Sequence, residues 1–569
     1  MGVPLPWSRL QRCVLSCDVE FRGKRLAAVV SVVVPTVLAG LHALAYGRWI
    51  VDDAAITFAY ARSIATGAGP VLQPGGPEVE GWSNPSWLAV HVVGRWLGLF
   101  DHGSWFGVPD YVTFPKMIAL LCCAGMFAAM RVAAGVLGRH PSLITLVAGS
   151  VTSLVPSFVI WCFSGLENSM LALAVVGIAA VLARAVATDR LLTPATAVSA
   201  GLLAALAALT RPDGLIYLTA FPLVALLFVT RQRLRASVGM AALAVAVALV
   251  PFGLYLLWRV LTFHALVPNT ALAKAQGVPS PVDLAKSADL LAYFGWALVL
   301  VGVVAVGAVL IRPSRVRAAL TAVVVPLGLA VIAFGVLLPD WMGQFRFATP
   351  VWPLAALATT AAVAAVLPVL AVRGRVVLAV ATALALVLSG SSWEQQLSGF
   401  RAAPTVPVCL VAQVSGREFN DYADALRVPG GTVLLPDVGG SALVSRLRVV
   451  DLAGLADREI AVFWRDGDMA GLRDLVFDEV KPTFLHAHGY WADRTGVLVD
   501  TRLSRDYVLL KSNPVEGENW VRRDVVPDAA ALDAARLAGV RAQAERVARD
   551  AAPRGSCGDL VVGGRTGSG

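Results

Sequence analysis

Charge is scarce in this sequence. Only 15% of its 569 residues are Asp, Glu, Lys or Arg, against about a quarter in an average soluble globular chain. An ordinary water-soluble protein is thereby excluded over much of the length, since 57% of the residues are hydrophobic. Acidic residues are especially few before Ser392. Residues 392–569 hold 21 basic and 24 acidic residues, which leaves 26 and 14 for residues 1–391. The net charge of +9 is thus +12 in the apolar part and −3 in the rest, which argues against a nucleic-acid partner. Cysteine is also sparse, at seven residues. Cys13 and Cys17 lack the further ligands a metal site needs, and Cys122, Cys123 and Cys162 lie in apolar runs as small core residues. A small-residue cleavage site is missing after the first apolar run, so 26–46 reads as a retained first helix.

What is present is a series of apolar runs at 26–46, 114–137, 142–162, 168–187, 194–210, 214–230, 236–262, 289–311, 317–338, 351–371 and 375–391. Most approach the ~20 residues that cross a bilayer. The pair around Arg211 is short enough to be kinked or re-entrant. The stretch 86–100 is shorter still and carries His91 and Arg95, which suits an interfacial helix. Eleven spans, with the basic segment 1–25 in the cytoplasm, put Arg139, Arg184, Arg190 and the clusters at 231–235, 312–317 and 373–375 inside, as the positive-inside rule requires. The chain after 391 then lies outside. The expected architecture is a polytopic α-helical membrane protein, 26–391, with a first outer loop at 47–113. A periplasmic α/β domain follows at 392–553, and a disordered tail at 554–569.

The loops left outside carry the chemistry. Asp52 and Asp53 directly follow the first span. Adjacent carboxylates at an apolar boundary suit a general base or a metal ligand, though a solvated helix end has the same composition. Glu78, Glu80, Trp82, Asn84 and Trp87 fall within ten residues. That mixture of carboxylates, amide and indoles fits a sugar as well as an interfacial aromatic belt. Glu167 lies at an outer turn and needs a partner at the bilayer edge. Arg211 and Asp213 fit a structural ion pair. Asn269, Thr270 and Lys274, and then Asp340, Trp341 and Arg346, add further polar groups in outer loops. Cations at the membrane edge suit a lipid-linked phosphate, and carboxylates suit a sugar hydroxyl.

In order along the chain stand Asp52-Asp53, Val79-Glu80-Gly81-Trp82-Ser83-Asn84-Pro85-Ser86-Trp87, Gly165-Leu166-Glu167, Arg211-Pro212-Asp213-Gly214, Pro268-Asn269-Thr270 with Lys274, and Asp340-Trp341-Met342 with Phe345-Arg346-Phe347. This series resembles the GT-C superfamily of polyprenyl-phosphate-dependent glycosyltransferases. It is most similar to the actinobacterial terminal arabinofuranosyltransferases of the AftB type. The likeness runs from about Ile50 into the soluble domain, where 449–457 matches a family segment. Leu338-Pro339 and Asn168-Ser169 depart from the family pattern. The resemblance implies a decaprenyl-phosphoryl arabinose donor, an arabinan acceptor of arabinogalactan or lipoarabinomannan, and a plasma-membrane location. It maps catalysis to Asp52 or Asp53, donor phosphate binding to Arg211, Lys274 and Arg346, and the sugar and acceptor site to Glu78, Glu80, Trp82, Asn84, Glu167, Asn269 and Asp340. It requires no cofactor and leaves a divalent metal, and a retaining or inverting course, undecided. A mannosyltransferase of the same superfamily, a polyprenyl-lipid transporter and a non-catalytic scaffold stay open as alternatives.

After residue 391, short apolar runs such as 432–435 and 497–500 predict strands among helices. His486 and His488 lack a third ligand at metal spacing and read as structural. Tyr490, Trp491 and Trp520 suit either glycan contact or core. Cys409 and Cys557, in an oxidising compartment, suit a disulfide between the two ends of the domain.

Overall fold

The computed structural model describes residues 7–274 and 280–550. Among the described residues, seven helices are long and apolar enough to cross a membrane: Gly23–Leu44, Asp110–Leu137, Asn168–Ala187, Arg231–Phe263, Arg315–Val336, Val351–Val369 and Val372–Ala402. Two bent pairs raise the number to nine. Each was expected as one straight span. Pro141–Leu154 and Pro156–Cys162 meet at 78°, because Pro156 has no amide to extend the first helix and its ring disfavours helical geometry at Val155. Ala285–Phe294 and Trp296–Ile311 meet at 93° across Gly295, whose φ of +100° suits glycine. A Cβ there would also lie 2.2 Å from Ser389 Oγ. The remaining two expected spans are helical but short, at Pro194–Thr210 and Pro212–Leu227. Eleven crossings are therefore not established by length and composition. The last long helix runs to Ala402, beyond the boundary at 391.

Three helices build the end of the membrane domain that meets the soluble part: α1 (Trp7–Leu44), α2 (Asp52–Ala65) and α3 (Pro85–Trp96). α3 turns His91 inward, where it is buried against Phe58, Phe100 and Phe114. Arg95 reaches Asp101 at 2.5 Å. Val93 and Trp96 stay exposed, an apolar rim that suits an interfacial position. A small hairpin, β1 (Ser104–Trp105) with β2 (Val108–Pro109), leads into the next span.

The soluble part holds a five-stranded mixed sheet of β3 (Thr432–Leu435), β4 (Arg448–Asp451), β5 (Phe484–Ala487), β6 (Tyr507–Asn513) and β7 (Gly517–Arg522). Their order is β4-β3-β5-β7-β6. β3 runs parallel to both β4 and β5, while β7 is antiparallel to β5 and β6. The expected strand at 497–500 is instead a short 3-10 turn, Val497–Val499. Gly496 enters it at a φ of +68°, and Asp500 caps the next helix through the Arg502 amide. Those signals leave too few residues for a strand. Cys122, Cys123 and Cys162 are free and buried. Cys409 is disulfide-bonded. Its expected partner Cys557 and the tail at 554–569 lie outside the described residues.

Candidate active site at the junction of the two domains

α2 begins where the two domains meet. Val51 is extended and bridges Pro407, in the strap that follows the last long helix. The Asp52 amide donates to Val406 O at 3.0 Å, and the Val408 amide donates to Ile50 O at 2.9 Å. The Asp52 side chain turns away from the membrane domain. It accepts from the Gly440 amide at 2.7 Å and the Gly439 amide at 3.1 Å, at the start of the helix Gly439–Val444. Glycine is required at that contact, since a Cβ on Gly439 would sit 2.1 Å from Asp52 O and one on Gly440 2.3 Å from Val408 O. Burial, and next the Asp437 charge, push the Asp52 carboxyl well above its usual range, against the pull of the Gly440 amide.

Asp53 points the other way and has few commitments. Its side chain is 22% exposed, and its carboxylate stands 4.0 Å from the Arg346 guanidinium. Burial raises its pKa, while Lys274 and then Arg346 lower it. Arg346 pairs with Asp340 at 2.8 Å. It also lies over Phe347, 4.8 Å from the ring centroid, and Arg211 lies over the same ring at 4.8 Å. Arg211 bonds Glu167 and Asp213, each at 2.9 Å. Glu167 accepts from Asn84 Nδ2 at 2.8 Å, and Asn84 in turn accepts from Thr57 on α2 at 3.3 Å. Asn168 donates to Arg346 O at 3.0 Å. The motifs around Asp53, Asn84, Glu167, Arg211 and Arg346 thus form one continuous polar network. Lys274, ending the short helix Asn269–Lys274, is exposed and near enough for Asp53, Arg346, Asp340 and Arg211 to act on its charge.

Other expected site residues are placed elsewhere. Glu80 is buried and engaged by Arg259, at 2.5 and 3.0 Å, and by the Tyr255 hydroxyl. Trp82 is also buried and donates to Tyr255 at 3.0 Å. Asn269 bonds the carbonyls of Gly454, Leu455 and Asp457, so it ties its loop to the soluble domain. Glu78 is exposed on the loop edge. Because the Glu80–Arg259 pair is buried, Arg259→Leu strands a buried carboxylate and is expected to cost about 3–5 kcal/mol. Thermal unfolding in detergent measures this. A loss under about 0.5 kcal/mol would mean water reaches the pair.

Sequence reasoning missed Asp437. It follows β3, and His488, passed over as structural, follows β5. His488 Nε2 and Asp437 Oδ2 are 2.7 Å apart, and the Asp437 charge acts on both Asp52 and Asp53. The hydrogen bond to Asp437 raises the His488 pKa. The signal lies in the topology and not in the local sequence, because the carboxyl ends of parallel strands are where α/β sheets hold functional side chains. Asp451 ends the third parallel strand, β4. It accepts from the amides of Ala453, Gly454 and Ala456, shaping the loop that Asn269 grips. Among the described residues, no group of three or more His, Cys, Asp or Glu side chains is arranged to hold a metal ion.

Fold and site together define a polytopic membrane protein with a large extramembrane domain and a polar cluster at the junction. No family model and no curated protein matches the chain. Among solved structures, its fold is similar to that of the oligosaccharyltransferase of Archaeoglobus fulgidus. The apo form superposes with a TM-score of 0.51 at 12% identity, over 86% of this chain and 74% of that one. The form tethered to an acceptor peptide gives 0.50 at 12%, over 87% and 74%. At that identity, what is shared is the fold.

Proposed function

We propose that this chain is a membrane glycosyltransferase of the GT-C type. It takes a sugar from a polyprenyl-phosphate donor and passes it to a glycan acceptor on the outer face of the plasma membrane. The finer reading is transfer of arabinofuranose from decaprenyl-phosphoryl arabinose to the ends of cell-wall arabinan. The observation that carries the reading is the convergence of residues from five other distant motifs beside one partly accessible carboxylate, Asp53. The oligosaccharyltransferase fold supports it.

In this reading the lipid phosphate lies against Lys274 and Arg346, with Arg211 behind the shared Phe347 ring. Their charges stabilise the phosphate as its bond to the anomeric carbon breaks and the electron pair leaves on oxygen. The acceptor hydroxyl forms the new bond to that carbon. Its proton passes to Asp53, which serves as general base. Asp52 holds the soluble domain and, through it, Asp437 and His488 against the site. The basic loops 139, 190, 231–235, 312–317 and 373–375 face the cytoplasm.

Purified protein in nanodiscs, given a short arabinan acceptor, tests the proposal. Transfer from synthetic polyprenyl-phosphoryl arabinose, and not from polyprenyl-phosphoryl mannose, is expected. Transfer of mannose alone keeps the enzyme class and removes arabinose. No transfer from either donor by folded protein removes the enzyme reading in favour of a transporter or scaffold.

A further inference from the structure

Far from the site, the helices Asp110–Leu137 and Asn168–Ala187 border a cleft of about 320 Å³ lined by Arg131, Val132, Gly135, Val136 and Arg184. Both helices start at the active-site end. Lys116 donates to Gly47 O, five residues before Asp52, and Asn168 donates to Arg346 O. Counted from these two contacts at ~1.5 Å per residue, Arg131 is roughly 22 Å and Arg184 roughly 24 Å further along their helices. The cleft therefore opens near the opposite end of the membrane domain.

Its two arginines differ from those of the outer face. Arg62, Arg95, Arg211, Arg259 and Arg346 all pair with carboxylates. Arg131 and Arg184 make no side-chain hydrogen bond or ion pair among the described residues, and Arg131 Nε is buried without a partner. Arg131 sits six residues inside the end of a spanning helix. A partly buried guanidinium without a partner, at that depth in a span, is costly unless an anion meets it. Beside it, Val132 is 41% exposed, and Val136 extends the apolar wall. A cationic recess next to an outward apolar strip matches a molecule with an anionic head and an acyl tail.

We infer that this cleft binds the phosphate headgroup of an anionic membrane phospholipid, with Arg131 and Arg184 on the phosphate and an acyl chain along Val132 and Val136. Arginine suits the role because its planar fork can donate two bonds to one phosphate. A free phosphate would satisfy the same guanidinium groups. The apolar wall and the position within a spanning helix favour the lipid. The inference does not depend on the glycosyltransferase reading.

The test is native mass spectrometry and thermal unfolding of the full-length protein in a neutral detergent. Phosphatidylglycerol, phosphatidylcholine or inorganic phosphate is added. Phosphatidylglycerol is expected to give a retained one-lipid adduct and to raise the unfolding midpoint, and phosphatidylcholine and inorganic phosphate to do neither. Arg131→Gln with Arg184→Gln should lose the adduct and the shift. Gly135→Leu fills the cleft without removing charge and should lose both as well. Its Cβ meets nothing closer than Arg131 Nη1 at 3.7 Å, so it guards against misfolding of the double variant. Equal retention of phosphatidylcholine, saturation by inorganic phosphate alone, or unchanged phosphatidylglycerol binding in the folded variants overturns the inference.

Discussion

Asp53→Asn is expected to lower sugar transfer by about 10²–10⁴-fold, the usual worth of a positioned general base, while leaving the unfolding midpoint almost where it was. The asymmetry follows from what Asp53 does in the folded chain. It makes one long ion pair, 4.0 Å to Arg346, and keeps 22% of its side chain accessible. Asparagine preserves its shape and loses only a charge that the fold hardly uses. The pH profile gives an independent reading. A general base must be ionised, so with Asp53 in the proposed role activity falls as pH drops through the Asp53 pKa. Burial holds that pKa above the ordinary carboxylate range, and Lys274 and Arg346 restrain it. Lys274→Met removes one restraint, so the acid limb should move to higher pH in addition to any loss of donor binding. Normal turnover by Asp53→Asn, or an acid limb that Lys274→Met leaves in place, would exclude Asp53 as the base.

Much of this arrangement was legible in the chain because membrane spans and outer-loop motifs are written locally. A run of apolar residues bounded by arginines needs no partner to be recognised. The motifs around Asp52, Glu167, Arg211 and Arg346 declare themselves by residue type. What could not be read is which side chains spend their charge on one another. Glu80 and Trp82 share a loop motif with Asn84, yet Glu80 and Trp82 go to Arg259 and Tyr255, whereas Asn84 joins Glu167. Arg259 lies inside a span, 179 residues from Glu80, and nothing local marks the pair. Asp437 and His488 were hidden for the same reason. Neither sits in a motif, and only the parallel pairing of β3 with β5 brings them to one edge. The bends at Pro156 and Gly295 were written locally, but a straight apolar run masks a break.

Asp52 is expected to behave in the opposite way to its neighbour. Asp52→Ala should destabilise the soluble domain's seat on the membrane domain by about 2–6 kcal/mol, because two buried amides, Gly439 and Gly440, lose their acceptor at about 1–3 kcal/mol each. Gly439→Val attacks the same contact from the other side, since its Cβ would meet the Asp52 carbonyl oxygen at 2.1 Å and backbone cannot yield cheaply. Both variants should show an earlier unfolding transition and faster proteolysis in the strap that pairs Val406, Pro407 and Val408 with the start of α2. Activity should fall with them in proportion to the seated fraction. The decisive comparison is Asp52→Asn. Its amide nitrogen would point hydrogens at one of the two backbone donors, so the latch loosens although the side-chain size is kept. If Asp52→Asn unfolds at the wild-type temperature, resists protease as wild type does and still transfers no sugar, the roles assigned to the two aspartates are reversed. If transfer instead survives in whatever fraction remains seated, Asp52 is the clasp that brings the carboxyl edge of the soluble sheet, with Asp437 and His488, over the carboxylate that does the chemistry.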